Sequence, residues 1–128
     1  MKRMVSVLVL LIIVAAFVFG AGQREAAPDT LRVGMVTDAG TIDDKSFNQG
    51  TWEGIRRAQS ELGIQARYLR PSGETEADYV AEIVNLYDAG YRFVVTPGFK
   101  FETAIYIVQQ RYSDLKIVLL DGEPRSQA

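Results

Sequence analysis

The residues best suited to chemistry in this 128-residue chain lie between an apolar, strand-like run and an amphipathic, helix-like run. The polar stretch Asp38–Lys45 has eight residues there, whereas a plain connection needs about two to six. Asp38 directly follows the strand-like run, where an ionised carboxylate accepts hydrogen bonds from N–H or O–H groups of a ligand. Asp also caps turns often, but the extra loop length favours ligand contact by Asp38.

Phe47 and Asn48 stand at the start of the helix-like run. An aromatic ring at the rim of a cleft offers a stacking face, and a neighbouring amide offers both a donor and an acceptor. This combination suits recognition of a heterocyclic base. Phe47 could equally pack inward as a helix staple, and its spacing does not decide between the two.

Asp121 is the fourth candidate contact, because it ends the apolar run KIVLL. A carboxylate at that place lies at the edge of the sheet that the strand joins. The alternative is an ordinary turn, since Asp followed by Gly often initiates one.

Two neighbouring patterns are interpreted as structural. Ser46 and Gln49 have the spacing of a capping box. The adjacent Asp43 and Asp44 indicate a solvated turn, because a hard-cation site needs more oxygen ligands than one pair supplies. We therefore expect no metal or cofactor.

Strand and helix patterns alternate around these residues. The helix from Ser46 repeats apolar residues at three-to-four spacing and closes at Gly63, and a second helix has the capping pair Thr75 and Asp78 and ends at Gly90. The other predicted elements are strands at LRVGMVT (Leu31–Thr37), QARYLR, FVVT and KIVLL, and a third helix at about Lys100–Gln110. QARYLR alternates polar and apolar residues and is predicted at an edge, whereas the more apolar FVVT and KIVLL are predicted to be central.

This order predicts an α/β fold with a doubly wound parallel sheet, because strands separated by helices of this length are joined by right-handed crossovers. Ligands of such sheets bind beyond the carboxyl ends of the strands. Three loops leave those ends, at Asp38–Lys45, Thr96–Phe99 and Asp121–Pro124. The candidate residues thus fall on the expected binding edge.

The first 22 residues read as a signal peptide. Lys2 and Arg3 precede an uncharged run, Met4–Phe19, which closes on Gly20, Ala21 and Gly22, and the run is shorter than the ~20 residues of a membrane span. A buried core helix is the alternative. Residues 23–30 read as a linker, so we expect an exported protein with its folded part at 31–128.

Composition narrows the functional classes. The chain has no Cys and no His, which excludes disulfides, thiolate metal sites and the lipid-bearing Cys of a bacterial lipoprotein. Removing Lys2 and Arg3 takes 14 basic residues to 12 against 16 acidic ones, so the net charge goes from −2 to −4, which argues against nucleic acid. No motif for binding a dinucleotide or a triphosphate is present, and no hydrolase motif is present. Acid–base catalysis by paired Asp residues is conceivable, but nothing in the sequence arranges a nucleophile with its base. Binding is favoured over catalysis.

The run VGMVTDAGTIDDKSFNQGTWEGI, with VVTPGFKF and IVLLDGEP downstream, resembles the basic membrane protein family of substrate-binding proteins, which includes purine nucleoside receptor lipoproteins of spirochaetes. The resemblance covers Leu31–Pro124. It implies a type I periplasmic-binding fold of two α/β lobes that delivers nucleosides to an ABC permease in the cytoplasmic membrane. The resemblance further implies that Asp38 and Asn48 hydrogen-bond to the purine base, that Phe47 stacks on the base, and that Asp121 hydrogen-bonds to the ribose.

Members of that family are more than twice as long, so the chain is expected to be part of an N-terminal lobe. Four alternatives stay open at this point. The protein could be a sugar or autoinducer receptor of the same superfamily, or a truncated chain without binding activity. It could also be the sensing lobe of a transcription regulator, although a signal peptide occupies the place of the DNA-binding segment, or a small exported enzyme.

Overall fold

The computed structural model describes residues 30–126. The predicted signal peptide and all but the last residue of the predicted linker lie outside them. The elements are β1 (Arg32–Val36), α1 (Phe47–Leu62), β2 (Gln65–Leu69), α2 (Glu76–Asp88), β3 (Phe93–Pro97), a 3₁₀ turn (Phe99–Phe101), α3 (Glu102–Gln109) and β4 (Lys116–Leu120). None of the helices in this part of the chain is long and apolar enough to span a membrane.

The four strands form one parallel sheet in the order β2-β1-β3-β4. The predicted α/β parallel sheet is therefore confirmed, as are the edge position of β2 and the central position of β3. The prediction that β4 is central is wrong for residues 30–126, because β4 ends the sheet and exposes Lys116 and Val118.

Helices cover the two faces of the sheet unequally. On one face α2 and α3 bury the larger core, which includes Tyr79, Ile83, Leu86, Phe101 and Ile105. On the other face α1 alone covers a smaller core of Val33, Met35, Ile55 and Ile64. Val33 and Met35 alternate with Val36, which belongs to the larger core. This alternation lets a single strand serve both cores.

The helix ends follow the sequence signals in most places. Gly63 ends α1 in the left-handed conformation, and Thr75 with Asp78 forms the predicted capping box of α2. The third helix is shorter than predicted, because its first turn is 3₁₀. The capping box of Ser46 and Gln49 is wrong: the Ser46 side chain makes no capping hydrogen bond.

Candidate functional site

The carboxyl ends of β1, β3 and β4 bring the predicted loops together. The Gly98 backbone N–H, just beyond β3, donates to the Leu120 carbonyl at the end of β4 (2.8 Å). A Cβ built on Gly98 would lie 3.8 Å from Oδ2 of Asp38. Gly98 has φ 102°, so glycine permits the backbone to turn this close to the carboxylate.

One oxygen of the Asp38 carboxylate is held by the chain and the other is not. Oδ1 accepts hydrogen bonds from the Gly40 backbone N–H (2.9 Å) and from Nδ2 of Asn48 (2.6 Å). Within residues 30–126, Oδ2 of this half-buried side chain makes no hydrogen bond. The arrangement fixes the carboxylate and leaves Oδ2 as an acceptor for a ligand.

Asn48 is buried, with 1% of its surface exposed. Its Oδ1 accepts from the Asp38 backbone N–H (3.2 Å), and its Nδ2 donates to carboxylate oxygens of Asp38 and Asp44 (2.6 and 2.8 Å). Both N–H donors are therefore used within the chain. In this arrangement the amide positions Asp38, and the direct contact with a base that the resemblance implied stays a prediction.

Asp44 organises the start of α1 instead of lying in a solvated turn. Its Oδ1 accepts from the backbone N–H groups of Ser46 (2.8 Å) and Gln49 (3.1 Å). Partial burial works to raise the pKa of Asp44, but these two bonds and those from Asn48 outweigh it and lower the pKa. No cluster of three potential metal ligands occurs among residues 30–126.

Gly40 is a site residue that the sequence interpretation missed. A Cβ at this position would meet Nδ2 of Asn48 at 2.6 Å and Oδ2 of Asp44 at 2.8 Å. A side chain there would displace the amide from the two carboxylates. The signal in the sequence was a glycine inside a polar loop that begins with Asp, and such a glycine often marks a close approach.

Phe47 is 52% exposed and lies outside both cores. It borders an open cavity of ≈ 450 Å³ that Ser46, Gly50, Thr51 and Leu120 also line. The alternative that Phe47 packs inward as a helix staple does not fit this exposure. The first turn of α1 therefore presents an aromatic face to solvent at the binding edge.

Asp121 lies directly after β4 with φ 57°. This left-handed conformation is uncommon for residues other than Gly, Asn and Asp. The residue is exposed, and its side chain has no hydrogen bond to another residue of the described part. The carboxylate is thus at the same edge as Asp38 and Phe47, and its strand end is tied to β3 through Gly98.

Three further residues at this edge were not singled out from the sequence. Phe99 is 65% exposed, and Nζ of Lys100 pairs with Oε2 of Glu74 at 2.7 Å. That hydrogen bond raises the pKa of Lys100 against the opposing effect of desolvation, and Tyr79 and Asp38 contribute in the same direction. An aromatic residue and a Lys directly after the Pro-Gly end of a central strand were the available signal.

Comparison with known proteins identifies the family. The sequence profile of the Bmp family, described as ABC transporter substrate-binding protein PnrA-like, matches residues 31–126. An uncharacterized lipoprotein of Pyrococcus horikoshii is 31% identical over 118 residues, which are 90% of this chain and 29% of the relative. The ABC transporter nucleoside-binding protein BmpA of Lactococcus lactis is 23% identical over 134 residues, covering 98% of this chain and 38% of the relative.

A solved structure agrees with the fold. The ABC transporter solute-binding protein of Aeropyrum pernix superposes with a TM-score of 0.67 at 28% identity, covering 76% of this chain and 26% of that protein. The chain spans 29% and 38% of the lengths of the two sequence relatives. With the profile matched across the described residues and the parallel sheet shared with a solute-binding protein, the chain belongs to the Bmp family of PnrA-like ABC transporter substrate-binding proteins.

Proposed function

We propose that this chain contributes one wall of a purine nucleoside site in the extracytoplasmic solute-binding component of an ABC importer. One observation carries the proposal. The exposed Phe47 ring directly precedes Asn48, whose amide holds the Asp38 carboxylate with Oδ2 left available. A stacking face and a fixed acceptor beside it are the groups that a nucleobase with N–H donors requires.

The remaining groups at the edge suit the sugar of the same ligand. Asp121 supplies an exposed carboxylate, which accepts hydrogen bonds from hydroxyl groups. A relative supports a nucleoside as the ligand, since the Lactococcus lactis protein is named a nucleoside-binding protein. Export fits the apolar segment Met4–Phe19 and the description of the Pyrococcus horikoshii relative as a lipoprotein. The partner that receives the ligand is then a membrane permease.

Calorimetric titration of guanosine, inosine, adenosine and a hexose tests the proposal. Phe47→Ala should weaken nucleoside binding by about tenfold to a hundredfold, because one base–aromatic stack contributes ~1 to 3 kcal/mol. Asp38→Asn keeps the shape but converts a charged acceptor into a mixed donor and acceptor. It should therefore penalise guanosine and inosine, which present an N–H on the base ring, more than adenosine.

Melting curves of the same variants separate binding from folding. Truncating a core Phe to Ala typically lowers the free energy of unfolding by ~3 to 5 kcal/mol. Phe47→Ala should lower it much less, because Phe47 is exposed. Phe101, which is fully buried, serves as the matched control for that loss. Nucleoside affinity that survives Phe47→Ala would show that the ring is not the base platform. Binding of the hexose alone would favour a sugar receptor, and binding of none of the four would leave this chain without the proposed activity.

A further inference from the structure

A second cavity lies on the β2 side of the loop that joins β1 to α1. Its volume is ≈ 450 Å³, and its lining residues are Thr37, Thr41, Ile42, Asp43, Tyr68 and Arg70. None of these is among the proposed nucleoside contacts. On β2, Tyr68 stands on the α1 face of the sheet, because its ring meets Trp52 edge to face at 5.0 Å. The cavity thus lies beside the proposed nucleoside wall, between the end of β2 and the far part of the loop that carries Asp38.

Thr37 gives this cavity an unsatisfied polar group. The residue is fully buried, and its Oγ1 has no hydrogen-bond partner within residues 30–126. Its backbone N–H is used, since it donates to the Leu69 carbonyl (3.0 Å). A buried hydroxyl without a partner costs stability. Thr37 lines the cavity but has no exposed surface, so its hydroxyl meets a polar group in the cavity by a rotation of the side chain toward it.

The charged residues of the lining are opposite in sign and do not pair with each other. The exposed Arg70 takes part in no ion pair or hydrogen bond within the described residues. Asp43 accepts a hydrogen bond from the Thr41 hydroxyl at Oδ1, and its Oδ2 makes no hydrogen bond there. Arg70 would attract a simple anion, but Asp43 would repel it. A simple cation would be attracted by Asp43 and repelled by Arg70. A ligand that carries both charges satisfies both residues.

We propose that this cavity is a binding site for a small zwitterion of the α-amino-acid class. The ligand carboxylate pairs with the Arg70 guanidinium and accepts from the Thr37 hydroxyl, and the ligand ammonium group donates to Asp43. Ile42 and the Tyr68 ring provide the apolar surface for the amino-acid side chain. The proposal does not depend on the nucleoside site, because the two share no residue.

Calorimetric titration with phenylalanine tests the site, with phenylalaninamide and N-acetylphenylalanine as probes that each lack one charge. Phenylalanine should bind at least about tenfold more tightly than either analogue. Arg70→Gln should weaken phenylalanine binding by about tenfold or more and leave phenylalaninamide unaffected. Asp43→Asn should likewise weaken phenylalanine and spare N-acetylphenylalanine. Thr37→Val, which keeps the shape of the side chain, should also weaken phenylalanine.

Matched controls keep these outcomes distinct from misfolding. Arg67→Gln removes an exposed arginine of β2 that does not line the cavity, and it should leave phenylalanine affinity unchanged. Thr37→Val should melt no lower than the parent, because it removes an unsatisfied hydroxyl. The proposal is overturned if phenylalanine does not bind, if the three probes bind equally, or if Arg67→Gln matches Arg70→Gln. It is also overturned if Phe47→Ala abolishes phenylalanine binding, which would place the ligand at the nucleoside edge.

Discussion

At the scale of single residues, the binding edge depends on one buried amide. Asn48 connects the loop that carries Asp38 to the helix start that Asp44 holds, through three hydrogen bonds of 2.6 to 3.2 Å. Phe47, which is proposed to contact the ligand, is exposed and lies outside both cores. Asn48, which holds the loop against the start of α1, therefore has a different role from Phe47, which is proposed to contact the ligand.

Replacing Asn48 with Ala should destabilise the fold by ~1 to 3 kcal/mol, the usual consequence of leaving buried polar partners unsatisfied. Urea denaturation at neutral pH measures this. Asn85→Ala is the matched control, because Asn85 is exposed and its amide donates only to Glu82 (3.1 Å). Equal stability of the two variants would mean that Asn48 does not hold the loop.

At the scale of elements, periodicity and end signals in the sequence predicted the helices, because these signals act locally. The Thr75 capping box was predictable for this reason. The prediction of a capping box at Ser46 is wrong because Asp44, two residues earlier, accepts from the backbone N–H groups of Ser46 and Gln49. Residue spacing alone does not show which of two competing acceptors binds these groups. The prediction that β4 is central is wrong for residues 30–126 because an apolar run indicates burial but not the place of a strand in the sheet. Neither the burial of Asn48 nor the cavity at Thr37 could be predicted, since both arise from packing between elements.

The capping box of α2 predicts a pH dependence. Hydrogen bonds from the Thr75 side chain and backbone lower the pKa of Asp78 below its ordinary value of 3.8. A lowered folded-state pKa means that the stabilisation is complete above that ordinary value and is lost as the pH falls through the folded value. Asp78→Asn should therefore be less stable than the parent near neutral pH, and the difference should shrink in acid.

Urea denaturation of both proteins across the acid range measures this dependence. Asp88→Asn, at the exposed far end of α2, is the control and should follow the parent closely. A difference between Asp78→Asn and the parent that is constant with pH would show that the carboxylate charge is not what stabilises the cap.

At the scale of the whole molecule, the α1 side of the sheet is only partly covered in the described part of the chain. An apolar groove of ≈ 340 Å³ runs between α1 and the strands there, lined by Val33, Ile55, Phe93, Val95 and Leu120 among others. Within residues 30–126, no strand pairs with the outer edge of β4. Exposed apolar surface beside an open strand edge favours association between chains.

The chain should accordingly self-associate, and a charge on β4 should reduce the association. Val118 is 38% exposed and lies outside both cores, so Val118→Lys adds a positive charge to the open strand at little cost to folding. Sedimentation velocity over a range of concentrations should show the parent moving to larger species while Val118→Lys stays smaller. Tyr106→Lys, at a similarly exposed position on α3 (39%), is the control and should associate like the parent. A parent chain that is monomeric at every concentration, or a control that dissociates as well as Val118→Lys, would show that neither β4 nor the groove drives association.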